Sequence, residues 1–264
     1  MTKNQQNHPV PGELRNIAII GYGNMGRVLE QAARERGVAI AAIAGKLPGS
    51  DVYAELSALN ADVDCIIDFS HHSNIEKILR YARENNKPLV IAVTGFSEAQ
   101  QKQIQAASAT VPIVFSQNLS LGVNILKEVA VYISRALGSR FDIELIEKHH
   151  NRKEDAPSGT AKMLLSALCA TGEKNIVNGR HGLQKRAENE IGVHAVRGGT
   201  IVGEHSVIFA GNDEIIEIKH TALSKRIFAD GALRAAAFLI SQPAGLYGMD
   251  EVLSASKTEG AIHN

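Results

Sequence analysis

The sequence predicts an α/β chain: a doubly wound parallel sheet, followed by a smaller α+β domain with a mixed open sheet. Three observations carry this. Short apolar runs alternate with segments of helical spacing as far as residue 115, and a glycine-rich turn closes the first run. Beyond residue 120 the rhythm changes, and short strand-like segments follow one another closely.

In order, residues 16–20 form an apolar run suited to a strand buried on both faces. Residues 24–36 have helical spacing and stop at Gly37, and 38–44 is a second strand. Residues 64–69 are a third strand and 73–85 a helix, with Ser73 as a candidate N-cap. Residues 88–93 read as strand, 97–107 as helix and 111–115 as strand. This alternation argues for a parallel sheet with helices on both sides. Residues 123–137 are then helical, 141–147 a strand and 158–171 a helix. The polar stretch 172–190 reads as a surface excursion. Segments 192–197, 206–210 and 214–220 suggest an antiparallel or mixed sheet with one solvated face, and 228–241 is an alanine-rich helix.

Composition narrows the function. The chain has 264 residues, enough for two domains of ordinary size, with 28 basic and 28 acidic side chains. Its 44% hydrophobic and 21% charged content excludes a disordered chain, a basic nucleic-acid binder and an acidic tail protein. Cys65 and Cys169 each sit inside an apolar run, which argues against a disulfide framework or a thiolate zinc site. No apolar stretch approaches the roughly 18–20 residues that cross a bilayer. The first fourteen residues have neither a signal peptide's apolar segment nor a transit sequence's arginines. They read as a flexible lead-in to a soluble protein of a reducing compartment, the cytoplasm.

Gly21-Tyr22-Gly23-Asn24-Met25-Gly26 matches G-x-G-x-x-G between the first strand and the first helix, the setting of a Rossmann-type dinucleotide turn. Gly21 would make the tight turn, Gly23 would admit a pyrophosphate, and Gly26 would let helix and strand approach. The amides and dipole of the helix start attract phosphate. The acid expected to grip the adenosine ribose is missing at the end of the second strand. Gly45-Lys46 stands there, and the next acid is Asp51. A lysine beside the ribose favours a 2′-phosphate, hence NADPH over NADH.

The densest polar cluster runs from Glu147 to Thr160. Pro157 suits a helix start, and either Asp155 or Ser158 can cap it. The amides of Gly159 and Thr160 would then form an anion seat beside His149, His150 and Lys153, combining proton donors with carboxylate receptors. Metal binding is not expected, because adjacent histidines on a strand point to opposite faces and no third ligand follows at a suitable spacing.

Residues 149–161 resemble the H-H-x-x-K-x-D-A-P-S-G-T-A signature of the dihydrodipicolinate (4-hydroxy-tetrahydrodipicolinate) reductase family, with every fixed position met. The likeness extends to G-x-G-x-M-G-R at 21–27, Asp68-Phe69-Ser70, NLSLGVN at 118–124, RGGTIVGEH at 197–205 and FADGA at 228–232. It implies reduction of a cyclic imine dicarboxylate in lysine biosynthesis, by hydride from a nicotinamide. It also implies His149 as acid/base, Lys153 as proton donor and substrate holder, and His150, Gly159 and Thr160 as carboxylate receptors. Dinucleotide contacts would fall on Gly21 through Gly26, on Gly45 and Lys46, on Ala92, Val93 and Thr94, and on Ser116, Gln117, Asn118 and Leu119. Cationic groups near the substrate carboxylates are expected to have raised proton affinity.

The chain departs from the family in places. Ala92-Val93-Thr94-Gly95 replaces G-T-T-G, so contacts there would rely on backbone groups. Lys225 stands where a substrate-binding arginine is expected, with Arg226 beside it. The resemblance further implies a dinucleotide domain of 1–119 plus 226–264, a substrate domain of 120–225, closure of the two on their ligands, and a homotetramer. The apolar faces of 206–210 and 215–218 suit either subunit contacts or their own helices. Two other readings, another two-domain dehydrogenase or a dinucleotide-binding redox sensor, lack a rival catalytic cluster and a nucleic-acid face respectively.

Overall fold

Aliphatic strands without polar interruption are buried only where both faces of a sheet are covered, and the first part of the chain builds such a sheet. The computed structural model describes residues 13–45, 52–57 and 63–260, so Lys46, Asp51 and the lead-in before residue 13 lie outside the described residues. In chain order the elements are β1 (Asn16–Ile20), α1 (Asn24–Glu35), β2 (Ala39–Ala44), α2 (Val52–Ser57), β3 (Cys65–Asp68), α3 (Ile75–Glu84), β4 (Leu89–Ile91), α4 (Glu98–Ala107) and β5 (Pro112–Phe115). Then come α5 (Leu121–Leu137), β6 (Asp142–His149), α6 (Gly159–Cys169), β7 (Asn175–Asn178), β8 (Glu190–Arg197), β9 (Gly203–Ala210), β10 (Ile215–Ala222), α7 (Arg226–Leu239), β11 (Gly245–Tyr247) and α8 (Met249–Gly260). The chain divides into two compact units, Met1–Leu119 with Phe228–Asn264, and Ser120–Ile227.

The first unit holds a six-stranded parallel sheet in the order β11-β5-β4-β3-β1-β2. The strand order reverses between β1 and β3. Crossovers of one hand running in opposite directions place their helices on opposite faces, which is double winding. Ala18, Ile20, Ile66, Leu89, Ile91 and Ile113 pack on one face against Ile75, Ile78 and Leu79 of α3 and Ile104 of α4. Ile17, Ile19, Ile67, Val90 and Val114 alternate onto the other face and are equally buried. Each such side chain contributes about 1.5–3 kcal/mol by leaving water.

Local signals end the helices of this unit. Ser97 and Gln100 form a reciprocal capping box at the start of α4, at 3.3 and 2.9 Å. Ser73 does not cap α3. It lies inside a 3₁₀ turn, His72–Asn74, where its amide donates to His71 Nδ1 at 3.3 Å and its hydroxyl meets the same nitrogen at 2.9 Å.

The second unit is a mixed sheet in the order β10-β9-β6-β8-β7, with β6 at its centre. β8 pairs parallel with β6 and β7, while β9 pairs antiparallel with β6 and β10. Helices α5 and α6 cover one face through Leu126, Ala130, Ala161, Leu164 and Leu168, against Ile143, Leu145, Val193, Val207 and Phe209. Val207, Phe209, Ile216 and Ile218 therefore cover the unit's own helices. The opposite face is polar: Glu204 bridges Lys148 and Lys219 at 2.6 and 2.8 Å. The excursion expected at 172–190 contains β7, a largely exposed strand hydrogen-bonded to β8. No described helix is long and apolar enough to cross a membrane.

Candidate active site

Parallel strands bring their carboxyl ends to one edge of a sheet, and the expected dinucleotide contacts among the described residues lie in the loops after β1, β2, β4 and β5 and in the first turn of α1. After β1, the Gly21 amide donates to the Ala44 carbonyl at 2.8 Å and the Tyr22 amide to Gly45 at 3.3 Å, which ties the turn to the end of β2. The Gly45 amide donates to Glu55 Oε2 at 2.5 Å. Gly21 has φ +85°, and a Cβ there would stand 2.5 Å from Ser70 Cα, so only glycine fits. A Cβ on Gly26 would overlap the Gly21 carbonyl, so its close approach is to the turn rather than to the strand.

Gly23 differs from both, because a Cβ there would meet nothing within 4 Å. Gly23 is the N-cap of α1 and makes no side-chain cap hydrogen bond, and the first turn, from Asn24 through Met25 and Gly26, carries no acid. Open space in front of helix amides without a side-chain cap suits the pyrophosphate of a dinucleotide.

Beyond β4, Ala92 donates its amide to the Asp68 carbonyl at 2.9 Å, Val93 turns its side chain into the core, and Thr94 is exposed. An apolar residue at 93 is thus accounted for by packing. Beyond β5, Ser116 Oγ donates to the Asn118 carbonyl at 2.9 Å and accepts the Asn118 amide at 3.2 Å, while Gln117 is exposed and Leu119 buried. At the end of β3, Asp68 is buried and accepts the Ser70 amide at 2.8 Å; burial pushes its carboxyl up to about 6.

The second cluster forms because β6 runs two residues past the expected end, to His149. On a strand, Glu147 and His149 then share a face. Glu147 is fully buried. Its Oε2 meets His149 Nδ1 at 2.6 Å and Arg197 Nη1 at 2.8 Å, and its Oε1 accepts Arg197 Nη2 at 2.7 Å and the Ser158 amide at 3.1 Å. Burial opposes the carboxylate charge, but Arg197, His149 and the Ser158 amide outweigh it and hold the carboxyl below its ordinary value. Arg197 also donates to the Asp155 carbonyl at 2.6 Å, pinning the loop ahead of α6.

Of the two candidate caps of α6, Ser158 acts: its Oγ accepts the Ala161 amide at 3.2 Å and lies 3.0 Å from His205 Nε2. His205 packs edge-on against His149, and burial pushes its imidazole down to about 4. A Cβ on Gly159 would meet nothing within 4 Å, so the space beside Gly159 at the start of α6 is open, and no acid lies in that first turn.

His149 does not have the raised proton affinity expected. Burial lowers it, Lys153 and Arg197 lower it further, and Glu147 only partly compensates. Lys153 Nζ pairs with Asp155 at 2.7 Å, and its amide donates to the His150 carbonyl at 3.1 Å. His150 is half-buried, and its Nδ1 has no hydrogen-bond partner among the described residues. Glu147 thus connects His149 to the start of α6. Lys225 is exposed in the turn before α7 and makes none of the bonds of that cluster. Glu147, Arg197 and His205 were not singled out from sequence. The Glu-x-His spacing on a strand was the available signal for the first; the other two come from distant strands.

The chain matches known proteins over most of its length. Residues 15–119 match the family model described as dihydrodipicolinate reductase, N-terminus, and 122–253 the model for its C-terminus. A 4-hydroxy-tetrahydrodipicolinate reductase of an Exiguobacterium species is 46% identical over 240 residues, covering 90% of this chain and 95% of that protein. One from Brachyspira hyodysenteriae is 51% identical over 197 residues, covering 74% and 85%. A dipicolinate-bound dihydrodipicolinate reductase from Paenisporosarcina sp. TG-14 shares the fold at a TM-score of 0.71 and 19% identity, covering 89% of this chain and 98% of that one. The chain belongs to the dihydrodipicolinate reductase family of NAD(P)H-dependent oxidoreductases.

Proposed function

We propose that this chain reduces the ring imine of 4-hydroxy-tetrahydrodipicolinate, or dihydrodipicolinate, to tetrahydrodipicolinate in the diaminopimelate route to lysine, using NADPH in preference to NADH. The supporting observation is the buried Glu147 carboxylate, which holds both His149 and the helix start carrying Gly159 and Thr160.

NAD(P)H, when bound, supplies the hydride. Gly21 to Gly26 would hold its pyrophosphate, with Gly45, Lys46, Ala92 to Thr94 and Ser116 to Leu119 around the rest. On the substrate side, a cyclic dianion needs cations, amides and one proton delivered on time. The amides of Gly159 and Thr160, with His150 and Lys225, would receive the carboxylates.

An ionised Glu147 only accepts hydrogen bonds, so His149 Nδ1 donates to it and Nε2 remains to hold the mobile proton. Burial keeps the imidazole poorly basic, and two incoming carboxylates would raise its proton affinity. Lys153, released from Asp155, would hold the substrate and supply a proton as well. The reading extends to a cytoplasmic homotetramer assembled through the open face of the second sheet, where the apolar side chains of Val196 and Ile215 are exposed.

The test is loss of reduced-nicotinamide absorbance with freshly generated cyclic substrate, run with NADPH and NADH in parallel. Substrate-dependent oxidation, faster with NADPH, is expected; none with either nucleotide overturns the proposal. Replacing Lys46 with alanine is expected to raise KM for NADPH about tenfold and leave KM for NADH unchanged.

A further inference from the structure

We propose that Glu147 is a positioning residue. By accepting His149 Nδ1–H on one oxygen and the Ser158 amide on the other, it fixes the imidazole's tautomer and locks it to the start of α6. This rests on the reading of His149 as the proton-bearing group.

The argument is one of donors and acceptors. Four hydrogen bonds converge on Glu147. Three come from groups that can only donate: the two Arg197 nitrogens and the Ser158 amide. A carboxylate so surrounded stays ionised and has only acceptor positions to offer. The fourth neighbour, His149 Nδ1 at 2.6 Å, must therefore carry its hydrogen. Nε2 is then the sole basic nitrogen. It lies on the Gly203 side, where a Cβ would stand 3.1 Å away.

Arg197 spans both oxygens and reaches the Asp155 carbonyl, so it prevents the carboxylate from rotating. His205 supports the same helix start from the opposite side, through Ser158 Oγ at 3.0 Å. A merely structural Glu147–Arg197 ion pair would need neither bond to His149 nor bond to Ser158. The charged and titratable groups around the imidazole are Glu147, Lys153, Arg197 and His205. Only Glu147 among them favours its protonation from within hydrogen-bond reach.

The test is nitrogen NMR of His149 in the intact protein, combined with kinetics of Glu147→Gln and Glu147→Asp. In the parent chain, neutral His149 is expected to carry its hydrogen on Nδ1. A hydrogen on Nε2 overturns the proposal without any variant. In Glu147→Gln the amide cannot accept from all four donors. The imidazole is then expected to populate the Nε2–H form and to titrate about one pH unit lower. Turnover is expected to fall about 10²-fold or more with dinucleotide Kd unchanged, as when an orienting carboxylate is neutralised beside a catalytic histidine. Glu147→Asp is expected to restore part of the tautomer and part of the rate. A folded Glu147→Gln with unchanged His149 signals overturns the proposal. Shifted signals, together with full turnover in a His149→Gln variant, support the positioning and refute the proton role.

Discussion

The carbonyl oxygen of Gly21 occupies the space that a Cβ on Gly26 would need. The first turn of α1 is therefore folded back on the loop that precedes it, and the two glycines are structural. Gly23, between them, has open space around it. Gly26→Ala is expected to destabilise the chain by about 1–3 kcal/mol, as overpacking does. Gly23→Ala is expected to stay within about 0.5 kcal/mol of the parent and to weaken dinucleotide binding at least about tenfold. Thermal unfolding and a dinucleotide fluorescence titration on both variants check the contrast.

His149→Gln is expected to lower kcat by about 10²–10⁴, the range for loss of a general acid, with cofactor affinity intact. Steady-state rates beside a binding titration read this out. Unchanged turnover would remove His149 from the mechanism.

Asp68 makes stability fall as pH rises. Its folded-state value of about 6 lies above that of an unfolded aspartate, so the folded chain holds a proton that the unfolded chain releases. The contribution is fully present below about pH 4 and is lost as pH passes 6, by about 3 kcal/mol. Asp68→Asn keeps an acceptor for the Ser70 amide and lacks this loss. Urea unfolding followed by circular dichroism is expected to show the variant gaining on the parent between pH 4 and 7.

His205 acts in the opposite direction. Its folded-state value of about 4 lies below the ordinary value for histidine, so its contribution is present above about pH 6.5 and lost as pH falls through 4. Burial keeps it neutral, and charging it costs about 3 kcal/mol. His205→Gln is expected to lose less stability than the parent on acidification over that window, by the same measurement.

What could be read from the sequence follows from how each element is stabilised. The central residues of β1, β3 and β5 are apolar and buried on both faces, so the positions of these strands were legible to within a residue or two. The signature at 149–161 was legible because its residue types are dictated by chemistry at fixed spacing. β7 was not: it is an edge strand of Asn175, Ile176, Val177 and Asn178 that buries almost nothing. β11, three residues at the rim of the first sheet, gave no pattern either, and the short helix α2 and terminal helix α8 were not anticipated. Ser73 looked like a cap because sequence does not show the 3₁₀ turn that displaces it. Arg197 and His205 reach Glu147 and Ser158 only through the pairing of β8 and β9 with β6, and that register is a long-range property.

Glu147, His149, Ser158 and Arg197 come from separate positions along the gene yet satisfy one another's bonding capacity completely at the carboxylate. Ser158 contributes its backbone amide, which other residues would keep, but truncating Glu147, His149 or Arg197 strands a buried neighbour out of water. Saturation libraries at the codon of Glu147, His149 or Arg197 alone are expected to return the parental amino acid under selection. Workable alternatives should surface only when these three are randomised together, so laboratory evolution of this centre has to proceed by concerted rather than stepwise change.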